Sequence, residues 1–595
     1  MVKTVRIMSQ DGKVEKFAQG IGVSKGIALG DAFVMLNREL KTPVYEIRDC
    51  DRQSEIDRFR EAILKTRQQI NAIKEELDSF LGDAEGSIFD AHIMVLDDVA
   101  IMQETKAVFD REHYNIEYCY MTVVENFIKA FEKIDDPIIK ERINDLRDVS
   151  SRVLRNLLGI ESVKIGANAQ PRVLVSSDFA PSDFAMVDKS KILAIVSEKG
   201  SATCHTAILA RSLGIPCVVG VQKVVDFVSS GEPMLVDGYS GKVYVNPTEQ
   251  TQGSYNDIES VHRRNQKIFD TALGKPARTL DGIDAYVGLN IGGASDISGD
   301  IMSNCDGIGL FRTENFFLNV ASFPDENSQF EAYKAAVVAA KGKPVILRTL
   351  DLGGDKYIAN FKDVNREENP FMGCRAIRFC LDHPEIFLTQ LRAILRASAF
   401  GTVRILLPMI CSIREVERAR VFIDEAKRQL KERGQAFDGD IKVGVMIEIP
   451  SAALTVDIIA DSCDFVSIGT NDLVQYLLAV DRVNENVAHL YEPYHPAVVR
   501  TLDIIVSQAL RKNTSVSICG ELAADPIFTP LLFGMGVRHF SMAPNSVSEI
   551  KFTLCKLAKD KAVALKDEIL KMTRSRHIIN RLREFHKELL AEYIK

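Results

Sequence analysis

Between Asp51 and Gly159 apolar residues recur in steps of three, four and seven, beginning with Ile56, Phe59, Ile63, Ile70, Ile73 and Leu77. That spacing lays one apolar stripe along a helix. The segments AHIMVLDDVAIMQETKAVF and YNIEYCYMTVVENFIKAFEKI continue the pattern after short polar breaks, so residues 51–159 are predicted to form a small helical bundle. β-rich pieces flank it: GIGVSKGIALGDAFVM before, and RVLVSSDF, ILAIVSE, CVVG, MLVDG and KVYVNP after. The bundle therefore reads as an insertion into an α/β domain made of residues 20–50 and 160–246, with residues 1–19 as an N-terminal extension. Residues 247–280 are polar, helix-prone and without a strand signal, and are read as a helical linker. From residue 281 to 595 strands alternate with helices: AYVGLNIG, GIGLFRTE, PVILRTLD, VRILLPMI, KVGVMIEIP, FVSIGTND, SVSICGE and a weaker HFSMAP. Eight strands in that order fit a closed (β/α)₈ TIM-type barrel, with an open doubly wound sheet as the structural alternative. The expected fold class is multidomain α/β.

Composition narrows the partners. The 595 residues exceed one ordinary core. The net charge of −8, from 82 acidic against 74 basic residues, gives no overall attraction to nucleic acid or an anionic membrane, so any anion site must be local. Eleven cysteines without a CxxC pair suit reduced thiols better than disulfides or structural zinc. No apolar run spans a bilayer and MVKTVRIMSQDGKVEKF lacks an apolar signal core, so a cytoplasmic protein without membrane insertion is expected.

Chemistry concentrates at the ends of the barrel strands. Arg312 ends GIGLFR, Arg348 ends PVILR, Glu448 ends VGVMIE, Asn471 and Asp472 end SIGTND, and Cys519 ends SVSIC. Strand C-termini converge on one face of a barrel, where such enzymes build active sites. Arg312 and Arg348, with Arg482 in AVDR, suit a phosphorylated or polycarboxylate ligand, because guanidinium pairs bidentately with oxyanions and three cations without an anion would repel. Glu448 and Asp472 supply two hard oxygen ligands, suited to a magnesium ion shared with substrate; the alternative is that each pairs with an arginine. Cys519 is either small core filling or a general acid that protonates carbon. Gly353 and Gly354, with Lys356 behind them, could admit a ligand to the backbone or simply make a turn.

One histidine stands out in the first half. In GSATCHTAILARSLGIPCVVG, residues 207–213 read as a short helix stopped by Gly214, with His205 near its N-terminus, where exposed amides and the helix dipole favour a phosphoryl group. The alternative is a histidine that caps or packs.

These motifs resemble enzyme I of the bacterial phosphoenolpyruvate:sugar phosphotransferase system, nearly end to end from Gly20 onward. The resemblance is carried by GIGLFRTE, ILRTLDLGGDK, ENPFMGCRAIR, LRAILRASAFG, SIGTNDLVQYLLAVDR and ICGELAAD. It implies a swivelling phosphohistidine domain in which His205 takes the phosphoryl group of phosphoenolpyruvate and passes it to the carrier protein HPr. It implies that Arg312, Arg348, Asn471, Asp472 and Arg482 bind phosphoenolpyruvate, that Glu448 and Asp472 hold Mg²⁺, and that Cys519 protonates the enolate. The bundle is then the HPr-docking subdomain, and a homodimer through the barrel is expected. Departures from the family pattern cluster near the histidine: Ser201 and Cys204 in GSATCH, Phe184 in PSDFA, and, in the barrel, Cys374 in GCR. The related dikinases and synthases need a large nucleotide-binding domain before the histidine, and no glycine-rich nucleotide loop occurs in the 200 residues available.

Overall fold

The computed structural model describes residues 7–8, 14–35, 42–81, 92–132, 137–160, 170–179, 191–200, 205–212, 214–297, 299–317, 323–352, 369–482, 484 and 487–594. It divides into two units, residues 1–260 and 261–595, with the boundary inside the helix Glu249–Asp270.

The first unit is built on nine strands: β1 (Ile7–Met8), β2 (Val14–Gln19), β3 (Ile21–Ser24), β4 (Ile27–Met35), β5 (Arg172–Ser176), β6 (Ile192–Ser197), β7 (Cys217–Val219), β8 (Pro233–Asp237) and β9 (Lys242–Val245), in the order β1-β2-β9-β8-β4-β5-β6-β7-β3. Strands β4 to β7 are parallel, and β5, β6 and β7 are buried on both faces. Val173, Val175 and Val196 pack in one core, while Leu174, Ile195 and Val219 pack in another with the helical insertion. This two-sided burial explains why RVLVS and ILAIVS are unbroken apolar runs rather than alternating ones. Residues 7–8 and 14–19, within the expected N-terminal extension, are strands of this sheet instead. Strand β2 pairs antiparallel with β9, and buried Glu15 accepts hydrogen bonds from Thr248 N at 2.6 Å and Thr251 Oγ1 at 2.7 Å, at the start of the helix that crosses the unit boundary. Of VEKFAQ only Glu15 and Ala18 are buried, which hides the strand from a search for alternation.

The insertion holds the helices Arg52–Leu81, Val99–Glu112, Ile116–Phe131 and Pro137–Leu157. Phe59, Ile63 and Ile70 of the predicted stripe are buried and Ile56 packs against them; Ile73 and Leu77 lie outside the described side chains.

The second unit is a closed barrel of β11 (Asp284–Ile291), β12 (Gly307–Arg312), β13 (Val345–Arg348), β14 (Val403–Leu407), β15 (Lys442–Ile447), β16 (Phe465–Gly469), β17 (Ser515–Cys519) and β18 (His539–Met542). Neighbours pair in parallel, and β11 closes the ring on β18, which excludes the open sheet. The two-residue strand β10 (Ala277–Arg278) pairs antiparallel with β11, so the stretch 247–280 is a helix followed by a short strand. The terminal helix Ser575–Leu590 buries Ile578, Leu582 and Phe585 in the core of its own barrel. Among the described residues no helix is long and apolar enough to cross a membrane.

Candidate active site

One cavity of about 150 Å³ opens at the C-terminal ends of the barrel strands, and all seven sequence-predicted barrel residues line it: Arg312, Arg348, Glu448, Asn471, Asp472, Arg482 and Cys519. Arg312, Arg348 and Cys519 each close their strands, and Glu448 follows β15 by one residue. Asn471 and Asp472 do not end a strand; β16 stops at Gly469, and both sit in the first turn of the helix Thr470–Leu478, where the dipole favours a carboxylate. Two glycines make room. A Cβ on Gly469 would come within 2.5 Å of Glu448 Oε2, and Gly520, at φ +104°, carries the chain past Thr470 and Asn471 where a side chain would collide.

Three further charged residues line the cavity that were not singled out from the sequence: Glu314, Asp351 and Arg375. Arg348 pairs with Glu314 and, at 2.9 Å, with Asp351. Arg375 holds Asp351 in a fork and reaches Asp472 at 3.4 Å. Arg482 stands 3.9 Å from Asp472 Oδ1. Arg348, Arg375 and Arg482 are therefore compensated by carboxylates, and charge repulsion among them does not demand a bound anion. The alternative of carboxylate–arginine pairing is realised for Asp472, while Arg312 forms no ion pair among the described residues.

Electrostatics separates Glu448 from its neighbours. Burial, with the carboxylates of Asp472 and Asp351 nearby, pushes it up to about 8. Its Oε1 accepts the amide of Met409 at 2.7 Å, and Met409 adopts φ +55° to present that amide. Arg375 would be lowered by burial, but Asp351 and Asp472 outweigh this and raise it. Buried Asp472 Oδ1 has no hydrogen-bond partner among the described residues. A crowded, desolvated carboxylate beside a buried, unbonded carboxylate oxygen is the donor set that a divalent cation relieves, so Glu448 and Asp472 fit magnesium. No cluster of three or more potential metal ligands occurs among the described residues, so substrate and water would complete the shell.

Cys519 is buried, with its Sγ 3.4 Å from Ser467 Oγ and 3.4 Å from the Ile468 carbonyl. Burial raises the thiol, so it keeps its proton and can donate it.

His205 opens the helix His205–Ser212, two residues earlier than predicted. Gly214 follows at φ +66°, a conformation suited to a helix stop. The His205 side chain, Phe184, Ser201, Cys204, Gly353, Gly354 and Lys356 lie outside the described residues. Cys374 stands partly buried beside Arg375.

Three family models cover most of the chain: the N-terminal domain of PEP-utilising enzymes at residues 19–142, their mobile domain at 168–241 and their PEP-binding domain at 267–559. The phosphoenolpyruvate-protein phosphotransferase of Geobacillus stearothermophilus is 38% identical over 566 residues, covering 95% of this chain and 97% of that protein. The protein of the same name from Bacillus subtilis (strain 168) is 36% identical over 569 residues, covering 96% and 99%. With the strand-end cavity described above and identity sustained along nearly the whole of both chains, this chain belongs to the phosphoenolpyruvate-protein phosphotransferase family, the enzyme I proteins.

Proposed function

We propose that the protein transfers the phosphoryl group of phosphoenolpyruvate to His205 and from there to a histidine of the carrier HPr, the first step of the sugar phosphotransferase system. The observation that carries the residue roles is the convergence of Arg312, Arg348, Glu448, Asn471, Asp472, Arg482 and Cys519 on one cavity at the strand C-termini.

In this reading Arg312, Arg348 and Arg482 bind the carboxylate and phosphoryl oxygens of phosphoenolpyruvate, and Asn471 and Asp472 orient it. Glu448 and Asp472 hold Mg²⁺, which when bound spreads charge on the substrate oxygens. A ring nitrogen of His205 attacks phosphorus, the bond from phosphorus to the enol oxygen breaks, and pyruvate leaves as its enolate. Cys519 gives its proton to the enolate's terminal carbon, forming pyruvate, and the thiolate is reprotonated from water. The arginines then serve electrostatics and positioning rather than covalent chemistry. The helical insertion is the HPr-docking element, the barrel carries a homodimer interface, and the protein works in the cytoplasm.

Radiolabelled phosphoenolpyruvate with Mg²⁺ tests this. An acid-labile, base-stable label is expected on the protein, lost in His205→Ala while phosphoenolpyruvate still binds the barrel. Label retained by that variant rejects the assignment.

A further inference from the structure

The opposite end of the barrel holds a second cavity of about 240 Å³, lined by residues from the N-terminal parts of the strands, among them Tyr286, Ile346, Arg404, Phe465, Ser517 and His539. Barrel interiors are normally filled by layers of branched side chains. Here that layer is thinned, because Gly288, Gly309, Ser515, Ser517 and Ser541 line the space. One layer divides it from the active site: Leu310, Ile346, Leu406, Met446, Phe465 and Cys519 form a single interior cluster. Leu310, Met446 and Cys519 of that cluster face the upper cavity, and Ile346 and Phe465 face the lower one.

The lower cavity has its own chemistry. Tyr286 and His539 stack at 4.6 Å with planes 5° apart, and Tyr286 is half exposed at the rim. The Arg404 guanidinium lies 5.8 Å from the Phe465 ring centre, half-buried, with no hydrogen bond or ion pair among the described residues. The carboxylate lining the cavity, Asp306, accepts the Val287 amide at 2.8 Å through Oδ2. Burial and Arg404 lower His539, leaving it neutral and Arg404 the cation that faces the space. An apolar, aromatic-walled cavity with one unpaired guanidinium is the usual design of a site for a flat ring bearing an acid.

We propose that the N-terminal mouth of the barrel binds a small aromatic carboxylate, its ring against Tyr286, His539 and Phe465 and its carboxylate on Arg404. Nothing in phosphoryl transfer uses these residues, so the site is separate from the active site.

Fluorine NMR of para-fluorobenzoate with the full chain tests it, with neutral para-fluorobenzamide as the comparison and excess phosphoenolpyruvate present to occupy the upper cavity. Saturable binding is expected at about millimolar dissociation constant, weakened about tenfold or more for the benzamide and in Arg404→Met. Ser517→Leu, which fills the cavity from another strand, is expected to abolish binding with phosphoenolpyruvate turnover unchanged. Should Arg404→Met not fold, Ser517→Leu and Arg404→Lys, which keeps the charge and most of the affinity, carry the comparison. Equal binding of acid and amide, displacement by phosphoenolpyruvate, or binding unaffected by Ser517→Leu overturns the proposal, as does no binding of the benzoate.

Discussion

Arg375 grips Asp351 with two hydrogen bonds, Nε to Oδ1 at 3.0 Å and Nη2 to Oδ2 at 3.2 Å, and the same Nη2 reaches Asp472 at 3.4 Å. One guanidinium thus joins the carboxylate that pairs with Arg348 to the carboxylate assigned to magnesium. Ala376, immediately after it, sits at φ +54°, so the backbone is strained where the guanidinium is aimed.

Removing Arg375 takes one cationic partner from each of two buried carboxylates, Asp351 and Asp472. Arg375→Leu is expected to destabilise the barrel by about 3–5 kcal/mol, read from thermal unfolding. Arg375→Lys keeps the charge but not the fork, so it should stay folded, lose phosphoenolpyruvate turnover and need more Mg²⁺. A lysine variant with normal kinetics and normal metal dependence shows that Arg375 does not position Asp472.

Glu448→Ala and Asp472→Ala should each raise the Mg²⁺ requirement steeply, since either change leaves one protein ligand. Isothermal titration of Mg²⁺ with oxalate present, alongside turnover, checks this apart from activity. Unchanged metal dependence in both variants removes the metal assignment.

The Cys519 thiol has two separable consequences. Cys519→Ala is expected to keep phosphoryl exchange between HPr and His205 but to lose turnover with phosphoenolpyruvate, because only the latter protonates a carbon. Burial raises this thiol, so less thiolate is present at any given pH. Alkylation of native Cys519 should accordingly set in at more alkaline pH than alkylation of exposed Cys50, measured by peptide mass spectrometry. Equal loss of both half-reactions indicates a structural thiol.

The barrel was legible because β-strands of a parallel sheet are short apolar runs with a chemical residue at one end, a pattern that survives without tertiary information. Arg312, Arg348, Glu448 and Cys519 could be found that way. Arg375 could not: it lies in a loop before the helix Ile377–Asp382, and only packing brings it to Asp351 and Asp472. Glu314 and Asp351 were hidden for another reason, standing two and three residues past the strand ends, where a carboxylate reads as solvated loop. Strand β2 carries no alternation because Glu15 and Ala18, three residues apart, are its buried positions, and β10 because two residues hold no period. The terminal helix Ser575–Leu590 carries an apolar stripe, and only packing shows what covers it.

That cover decides the last prediction. Ile578 and Leu582 are fully buried and Phe585 nearly so, all within the barrel's own core, so this stripe is not a free surface waiting for a second chain. Leu582→Ala should therefore destabilise the barrel by about 2–5 kcal/mol, the usual cost of a buried leucine truncated where the surroundings cannot collapse, without changing the association state of the folded fraction. The homodimer proposed from family membership must use other residues, and its dissociation on dilution is expected to lower phosphoenolpyruvate turnover. Sedimentation across a dilution series, with phosphoenolpyruvate and Mg²⁺ present, reads both expectations at once. A fully active monomer at every concentration removes the dimer, whereas a Leu582→Ala protein that is stable but monomeric places the terminal helix at the interface and contradicts its burial here.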